Sequence, residues 1–246
     1  GLVMSKRIRA QAERDLLAAE GHRIALIEVQ GALYFGSAET LARRLTTLGG
    51  ECDGLIVDVK RVNFADPSAE HLLAQTMASL PPGLRIALTN LAPSGPLARL
   101  YGLVQGDDLT QRVAFFEDSD RALEAFEDML LASRVGRGLP TKYALSDLDI
   151  LRGLTGAELR LLEPAVNSFQ FDRGEQIIRA GDEARLFFVI ARGSASISIT
   201  LPDGSARRVA SVGPGYSFGE MAILDGGRRS ADVFADEPMI CYGFSV

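Results

Sequence analysis

The segment from Phe218 to Val233 holds the residues of this chain whose types and spacing are best suited to chemistry. Gly219 and Glu220 precede a short apolar run, and Arg229 follows Glu220 by nine residues, across a Gly-Gly turn. The first turn of a helix has backbone N–H groups without partners, and an arginine beside it would complete an anion site. A carboxylate next to an anion site fits a phosphorylated sugar, because it accepts hydrogen bonds from ribose hydroxyls. The alternative is a strand–turn–strand with a surface glutamate and arginine.

Residues suited to metal binding or catalysis are sparse elsewhere. Cys52 and Cys241 lie far apart without metal-ligand spacing, and His22 and His71 are the two histidines of the chain. The sequence therefore predicts no metal site, no disulfide framework and no catalytic residues, with both cysteines as small buried hydrophobes in a reducing cytoplasm. Residues 215–219 match the Gly-x-Ser-x-Gly pattern of hydrolase nucleophiles, but that fold requires a histidine after the serine, and none follows His71.

The composition is that of a globular protein with two domains or one large one. The chain has 246 residues, of which 47% are hydrophobic and 24% charged, and a formal net charge of −6. These values exclude a disordered chain and argue against nucleic acid as a ligand. The longest apolar run covers the six residues from Leu186 to Ala191, whereas a membrane span needs ~18 or more. Since no secretory leader is evident, we expect a cytoplasmic location without direct membrane insertion.

The first half of the chain alternates short apolar strands with helical segments. A helix is predicted at 6–20, before Gly21, and Asp66 followed by Pro67 has the pattern of an N-cap with proline at the first helical position. A turn at Gly31 separates the first two strands. The predicted strands are 24–29, 33–35, 55–59, 84–89 and 113–116, and the predicted helices are 37–48, 67–80, 96–104 and 119–131. This alternation indicates an α/β domain with a mostly parallel sheet and helices on its faces.

The second half has the pattern of a mainly-β domain. Residues 133–141 carry glycines and a proline without apolar periodicity, so they mark the domain boundary. Thr155 and Glu158 form a capping box that opens a helix to about Val166. Beyond it, period-two alternation in 196–201 predicts a hairpin with 207–212, within a rolled antiparallel barrel. The predicted divisions are a lead-in helix or linker (1–21), an α/β domain (22–132), a linker (133–143) and a mainly-β domain (144–246).

Residues 218–231 resemble the phosphate-binding cassette of cyclic nucleotide-binding domains, a motif that runs Phe-Gly-Glu, apolar residues, a short turn and Arg-Thr/Ser/Ala-Ala. The resemblance extends upstream to about Tyr143. The upstream residues that fit the pattern of that family are Phe171, Gly174, Glu175, Ile177, Ile178, Gly181, Asp182, Leu186, Phe187, Phe188, Ile190 and Gly193. The resemblance implies a mainly-β, jelly-roll-like domain that binds cyclic AMP or cyclic GMP.

By the same resemblance, Glu220 would bind the ribose 2′-hydroxyl and Arg229 would bind the cyclic phosphate. The other residues expected in the binding site are Gly219, Met221, Ala222, Ser230 and Ala231. Arg228 stands where the family commonly has proline, and the sequence stops at Val246, where the family continues into helices that cover the base. We therefore expect a cyclic purine nucleotide as the ligand, bound more weakly than in a relative with those helices.

The first domain resembles the STAS fold, which sulfate transporters and anti-sigma-factor antagonists share, over about residues 22–132. The strand order carries the resemblance, together with the strand 55–59 and the loop that reaches Asp66-Pro67-Ser68-Ala69 at a helix start. In the antagonists this place reads Asp-Ser-Ser/Thr-Gly, and its second hydroxyl is phosphorylated. Ser68 matches that phosphoacceptor, while Pro67 and Ala69 depart from the pattern. The simpler interpretation, in which Asp66 and Pro67 only start a helix, is favoured.

The tandem of these domains predicts a regulatory module that binds a cyclic nucleotide and relays the signal through the STAS domain, without catalysis of its own. Bacterial serine-dependent glutaminases with a long C-terminal extension and sulfate-permease-type transporters both carry this tandem. An upstream catalytic or transport domain is thus the expected partner, and the STAS domain is a candidate surface for self-association. The segments 5–9, 21–22 and 26–31 favour the glutaminase extension. The alternatives are the cytoplasmic tail of a transporter and a stand-alone interaction protein similar to anti-sigma antagonists.

Overall fold

The computed structural model describes residues 3–106, 108–134 and 141–245. The chain divides into two compact units between Ser133 and Arg134, close to the predicted boundary. The first unit contains Leu16–Ser133 with the N-terminal residues through Ser5, and the second contains Lys6–Asp15 with the chain from Arg134 onwards. Part of the predicted linker, residues 135–140, lies outside the described residues.

The first unit is built on one sheet of four parallel strands. The strands are β1 (Ile24–Leu33), β2 (Gly54–Ala65), β3 (Arg85–Thr89) and β4 (Val113–Phe116). They pair in the order β1-β2-β3-β4, all in parallel. The helices are α1 (Gln11–Glu20), which begins among residues of the second unit, α2 (Phe35–Gly49), α3 (Pro67–Ser79), α4 (Ala98–Gly106) and α5 (Ser119–Ala132). The helix predicted at 6–20 therefore begins only at Gln11, because Ile8 before it pairs with Val212 as an isolated bridge. The predicted α/β fold with a mostly parallel sheet is confirmed.

Both faces of this sheet are buried under helices. Leu55 of β2 packs in the cluster that also holds Leu45 of α2 and Leu73 of α3, whereas the next residue, Ile56, packs with Phe126 of α5. Successive strand residues point to opposite faces of a sheet. Because helices cover both faces here, the start of β2 is continuously apolar rather than alternating.

The first strand pair is longer than the sequence pattern predicts. The predicted strands 24–29 and 33–35 form the single strand β1, which pairs with β2 through register shifts near Gln30 and Gly31. Gly31 has a φ of 86°, which glycine adopts without strain, so the predicted turn is an irregularity within one strand. β2 continues to Ala65, and the next residue, Asp66, is the N-cap of α3.

The second unit is mainly β. Its strands are β5 (Val166–Phe171), β6 (Gln176–Ile178), β7 (Leu186–Arg192), β8 (Ala195–Thr200), β9 (Ala206–Val212), β10 (Ser217–Phe218), β11 (Asp232–Ala235) and β12 (Met239–Ser245). They form two antiparallel four-stranded sheets, β10-β7-β12-β5 and β6-β11-β8-β9. A helix, α6 (Gly156–Leu162), precedes the strands, and the short helix α7 (Met221–Leu224) follows β10. The predicted jelly-roll-like class is confirmed.

The helix predicted at 155–166 is shorter in the structure. The capping box of Thr155 and Glu158 starts α6 as predicted, but the helix ends at Leu162. Pro164 lies in the 3-10 turn that follows, and β5 begins at Val166. Pro164 has no backbone N–H to donate to the carbonyl four residues earlier, so the helix cannot extend through this position at low cost.

The two sheets of the second unit share an apolar core. Ile190, Cys241 and Val212 are fully buried there. Burial raises the pKa of the Cys241 thiol to about 12, as expected for an inert structural cysteine. Cys52, in contrast, is only partly buried, because it lies in the turn between α2 and β2. Within the described ranges, no helix combines the length and the apolar character needed to span a bilayer.

Candidate functional site

The second unit contains a cavity of about 270 Å³ beside α7. All seven residues that the sequence predicts in the binding site line this cavity: Gly219, Glu220, Met221, Ala222, Arg229, Ser230 and Ala231. The apolar wall of the cavity comes from β6, β8, β9 and β11, through Ile178, Ile197, Ala210, Val212 and Val233. The cavity is completed by Ile8, Tyr216, Ser217 and Phe218. It therefore pairs a polar rim with a hydrophobic wall.

Arg229 is a buried cation at this rim, with only 8% of its surface exposed. Its two terminal nitrogens donate to backbone carbonyls, Nη1 to Gly219 and Nη2 to Leu186. The Arg229 backbone is fixed as well, since its N–H donates to the Asp182 carbonyl at 2.9 Å and its carbonyl accepts from Gly181 at 2.8 Å. The backbone pairing and the two carbonyl contacts together fix the position of the guanidinium.

Burial and neighbouring charges act on this guanidinium in opposite directions. Burial lowers the pKa of Arg229, while the carboxylates of Asp182 and Glu220 raise it. An arginine remains charged in either case. The two carbonyl contacts use two of its five N–H donors, so a desolvated positive charge with further donor capacity lies at the cavity. Such a group binds an anion with two or more oxygens well.

Glu220 contributes a buried acceptor at the same rim. Within the described part of the chain, its Oε2 atom is buried and has no hydrogen-bond partner. A buried polar atom left in this state costs about 1–3 kcal/mol. The Glu220 carbonyl accepts from the N–H groups of Ile223 and Leu224, both at 3.0 Å, which starts the helical turn of α7. A donor on a bound ligand would satisfy the carboxylate.

Gly219 allows Arg229 to approach the cassette backbone. It has a φ of 85°, and a Cβ atom at this position would lie 2.6 Å from Arg229 Nη1 and 2.8 Å from Ile178 Cδ1. Contacts this short do not occur for real side chains, so only glycine fits without a shift of its neighbours. The glycine in the predicted motif is thus required for the placement of the arginine.

Several cavity residues were not predicted from the sequence. Ile197 and Val212 lie on strands that the sequence predicts. The same alternation of apolar and polar residues could have indicated that these two side chains face the interior. Tyr216, which is 40% exposed, and Ile8 carry no local signal. Ile8 reaches the cavity through a pairing with Val212, more than two hundred positions along the chain.

Ser68, the predicted phosphoacceptor, lies in the first unit on the exposed first turn of α3. Its hydroxyl donates to Asp66 Oδ1 at 2.5 Å, and the same oxygen accepts the Ala69 N–H at 2.9 Å. These bonds, the one from Ser68 foremost, hold the pKa of the Asp66 carboxyl below its usual range. Asp66 is therefore the N-cap of α3, with Pro67 at the first helical position, as the favoured interpretation predicts. Phosphorylation of Ser68 stays a prediction.

Two family models match the chain. Residues 16–100 match the model described as "STAS domain", and residues 168–246 match the model described as "Cyclic nucleotide-binding domain". The chain is therefore a fusion of a STAS domain with a cyclic nucleotide-binding domain, and the cavity lies in the second of these. Among the described residues, no group of three or more His, Cys, Asp or Glu side chains is arranged to hold a metal ion.

The fusion resembles bradyrhizobial glutaminases over nearly its whole length. "Glutaminase 2" of Bradyrhizobium diazoefficiens is 31% identical over 242 residues, which are 97% of this chain and 38% of that protein. "Glutaminase 1" of the same organism is 30% identical over 94% of this chain and 37% of that protein. The chain thus spans well under half of these curated relatives. Among solved structures, the regulatory subunit of a cAMP-independent protein kinase A from Trypanosoma brucei is 30% identical, with a TM-score of 0.40, over 41% of this chain and 37% of that one.

Proposed function

We propose that this chain is a regulatory module that binds a cyclic purine ribonucleotide, cyclic AMP or cyclic GMP, in the cavity beside α7. One observation carries the proposal. The buried cation of Arg229 and the Oε2 atom of Glu220, which has no hydrogen-bond partner among the described residues, line the same cavity as an apolar wall. A ligand that complements the cation, the carboxylate oxygen and the apolar wall must carry an anionic group, a hydroxyl donor and a flat apolar part.

Each part of a cyclic nucleotide has a counterpart in this cavity. Arg229 would hold the cyclic phosphate with its remaining donors, since a guanidinium can bind two phosphate oxygens at once. The leading N–H groups of α7, from Met221 and Ala222, would add to this contact, because the first turn of a helix leaves such groups without partners. Glu220 would accept the hydrogen bond of the ribose 2′-hydroxyl.

The remaining walls suit the base and the sugar ring. Gly219, Ser230 and Ala231 have small side chains or none, so a ligand can come close to their backbone. Ile197 and Val212 offer an apolar surface for the base, which buries a flat ring without a demand for hydrogen bonds. The Ser230 hydroxyl is compatible with either purine, so we propose no choice between adenine and guanine.

Titration calorimetry of the wild-type chain with cyclic AMP and with cyclic GMP tests this function. We expect saturable binding of at least one of them with a Kd below about 1 mM, which corresponds to about −4 kcal/mol. Adenosine 5′-monophosphate, which lacks the cyclic phosphate, is the control ligand, and we expect it to bind more weakly. If neither cyclic nucleotide releases or absorbs heat at millimolar concentration, the proposal is wrong.

We further propose that the chain is the regulatory part of a longer bacterial glutaminase and relays nucleotide binding through its STAS domain to a catalytic domain upstream. The resemblance to two glutaminases over 97% and 94% of the chain supports this. A cytoplasmic location and self-association through the STAS domain belong to the same proposal. The coding sequence upstream discriminates it from the transporter alternative: we expect an acyl-transfer domain with a Ser-x-x-Lys motif, and a series of apolar spans would contradict it.

A further inference from the structure

The segment Lys6–Ala10 precedes the first domain in sequence but belongs to the second unit. Its centre, Ile8, donates its N–H to the Ser211 carbonyl and accepts from the Gly213 N–H, both at 2.9 Å. Ile8 thereby pairs in parallel with Val212 and adds one residue to the edge of the sheet at β9. The segment is thus hydrogen-bonded to the strand that forms one wall of the cavity.

Two buried arginines fix this segment on either side of Ile8. The Arg7 side chain, 7% exposed, lies 3.8 Å from the Asp236 carboxylate, and its Nε donates to the Ser211 hydroxyl at 2.9 Å. The Arg9 side chain is 3% exposed and lies 3.9 Å from Glu13. Extended backbone sends neighbouring side chains in opposite directions, and Ile8, between the two, lines the cavity.

Two glycines lie against the segment after β9. A Cβ atom on Gly213 would make an ordinary contact of 3.4 Å with the Ile8 carbonyl oxygen, whereas one on Gly215 would lie 3.3 Å from the Ala10 Cβ, which is tight. Gly215 also has a φ of 83°, where a larger residue is strained. A side chain at position 215 would therefore crowd Ala10, and the glycine there lets the segment pack against the chain after β9.

We infer that Ile8 is a further binding residue of the nucleotide cavity, and that docking of Lys6–Ala10 and occupation of the cavity stabilise each other. The inference rests on the proposed function. Ile8 is only partly buried and its side chain lines the cavity, so a nucleotide base would bury apolar surface that is now accessible. The nucleotide would then bind the cavity more tightly when Lys6–Ala10 is docked than when it is detached. Because coupling between two equilibria is reciprocal, bound nucleotide would also make the segment harder to detach.

Calorimetry of the full chain with Ile8→Ala tests the first part. The substitution removes apolar surface that the ligand would cover, so we expect binding about five- to tenfold weaker than in wild type. Ile177→Ala is the matched control, since Ile177 is also partly buried and packs against the same core but does not line the cavity. We expect a change of less than about threefold for Ile177→Ala. Equal affinities of Ile8→Ala and wild type would overturn the inference.

Hydrogen exchange separates failure of this inference from failure of the proposed function. The N–H groups of Ile8 and Gly213 exchange only when the segment detaches, so their exchange reports docking. With saturating cyclic nucleotide we expect slower exchange both in residues 219–231 and in residues 6–10. Protection of 219–231 with unchanged exchange in 6–10 would overturn the inference alone. No protection in either region, together with no heat of binding, would overturn the proposed function and the inference with it.

Discussion

Replacing Arg229 by alanine is expected to weaken cyclic nucleotide binding about ten- to hundredfold. A charge-assisted hydrogen bond to a buried group contributes about 1.5–3 kcal/mol, which corresponds to that range of affinity. Arg229→Lys is expected to restore only part of the loss, because an ammonium is a compact point charge and cannot form the paired contact of a guanidinium. Calorimetric titration of each variant measures the effect, and thermal unfolding shows whether the domain remains folded.

Arg228→Ala is the matched control for this prediction. Arg228 is exposed and is not among the residues that line the cavity, and its Nη1 donates to the Gly181 carbonyl at 2.8 Å. We expect its removal to change affinity by less than about threefold, which is under about 1 kcal/mol. Equal losses for Arg228→Ala and Arg229→Ala, or a larger loss at Arg228, would show that the cassette residues are assigned in the wrong register.

A 2′-deoxy cyclic nucleotide is expected to bind the wild-type chain about tenfold or more weakly than the parent nucleotide. The loss follows because Glu220 Oε2, which is buried and finds no partner in the part of the chain that the structure describes, would lose the hydroxyl that satisfies it. A hydrogen bond to a charged, buried acceptor contributes about 1.5–3 kcal/mol.

The Glu220→Ala and Glu220→Gln variants turn this expectation into a double-mutant cycle. In Glu220→Ala the penalty for the 2′-deoxy ligand should fall to less than about threefold, because no carboxylate remains to be satisfied. In Glu220→Gln the penalty should shrink as well, since a neutral amide oxygen is a weaker acceptor. A penalty of wild-type size in Glu220→Ala would mean that another residue contacts the ribose hydroxyl.

The cassette could be predicted from the sequence because its residues are local. Gly219 to Ala231 form one continuous stretch, and the glycine, the carboxylate and the arginine follow a spacing that one turn and one short helix impose. The same holds for the starts of α3 and α6, where Asp66 and Thr155 accept N–H bonds within three residues. Local hydrogen-bond chemistry leaves a local signal in the sequence.

Features that depend on distant partners could not be predicted in this way. Ile8 joins the cavity only through its pairing with Val212, and Lys6–Ala10 alone has the composition of a helix or a linker. The length of β1 depends likewise on its pairing with β2, which continues past Gly31. A glycine between two short apolar runs predicts a turn. Here the chain stays extended at Gly31 because β1 pairs with β2 on both sides of it.

A crystal structure of the chain with bound cyclic AMP or cyclic GMP shows whether the nucleotide occupies the cavity beside α7. We expect the cyclic phosphate within hydrogen-bond distance of the Arg229 guanidinium, the 2′-hydroxyl donating to Glu220 Oε2, and the base against the apolar wall that includes Val212. A nucleotide bound outside this cavity, or a phosphate held by residues other than Arg229, would contradict this expectation.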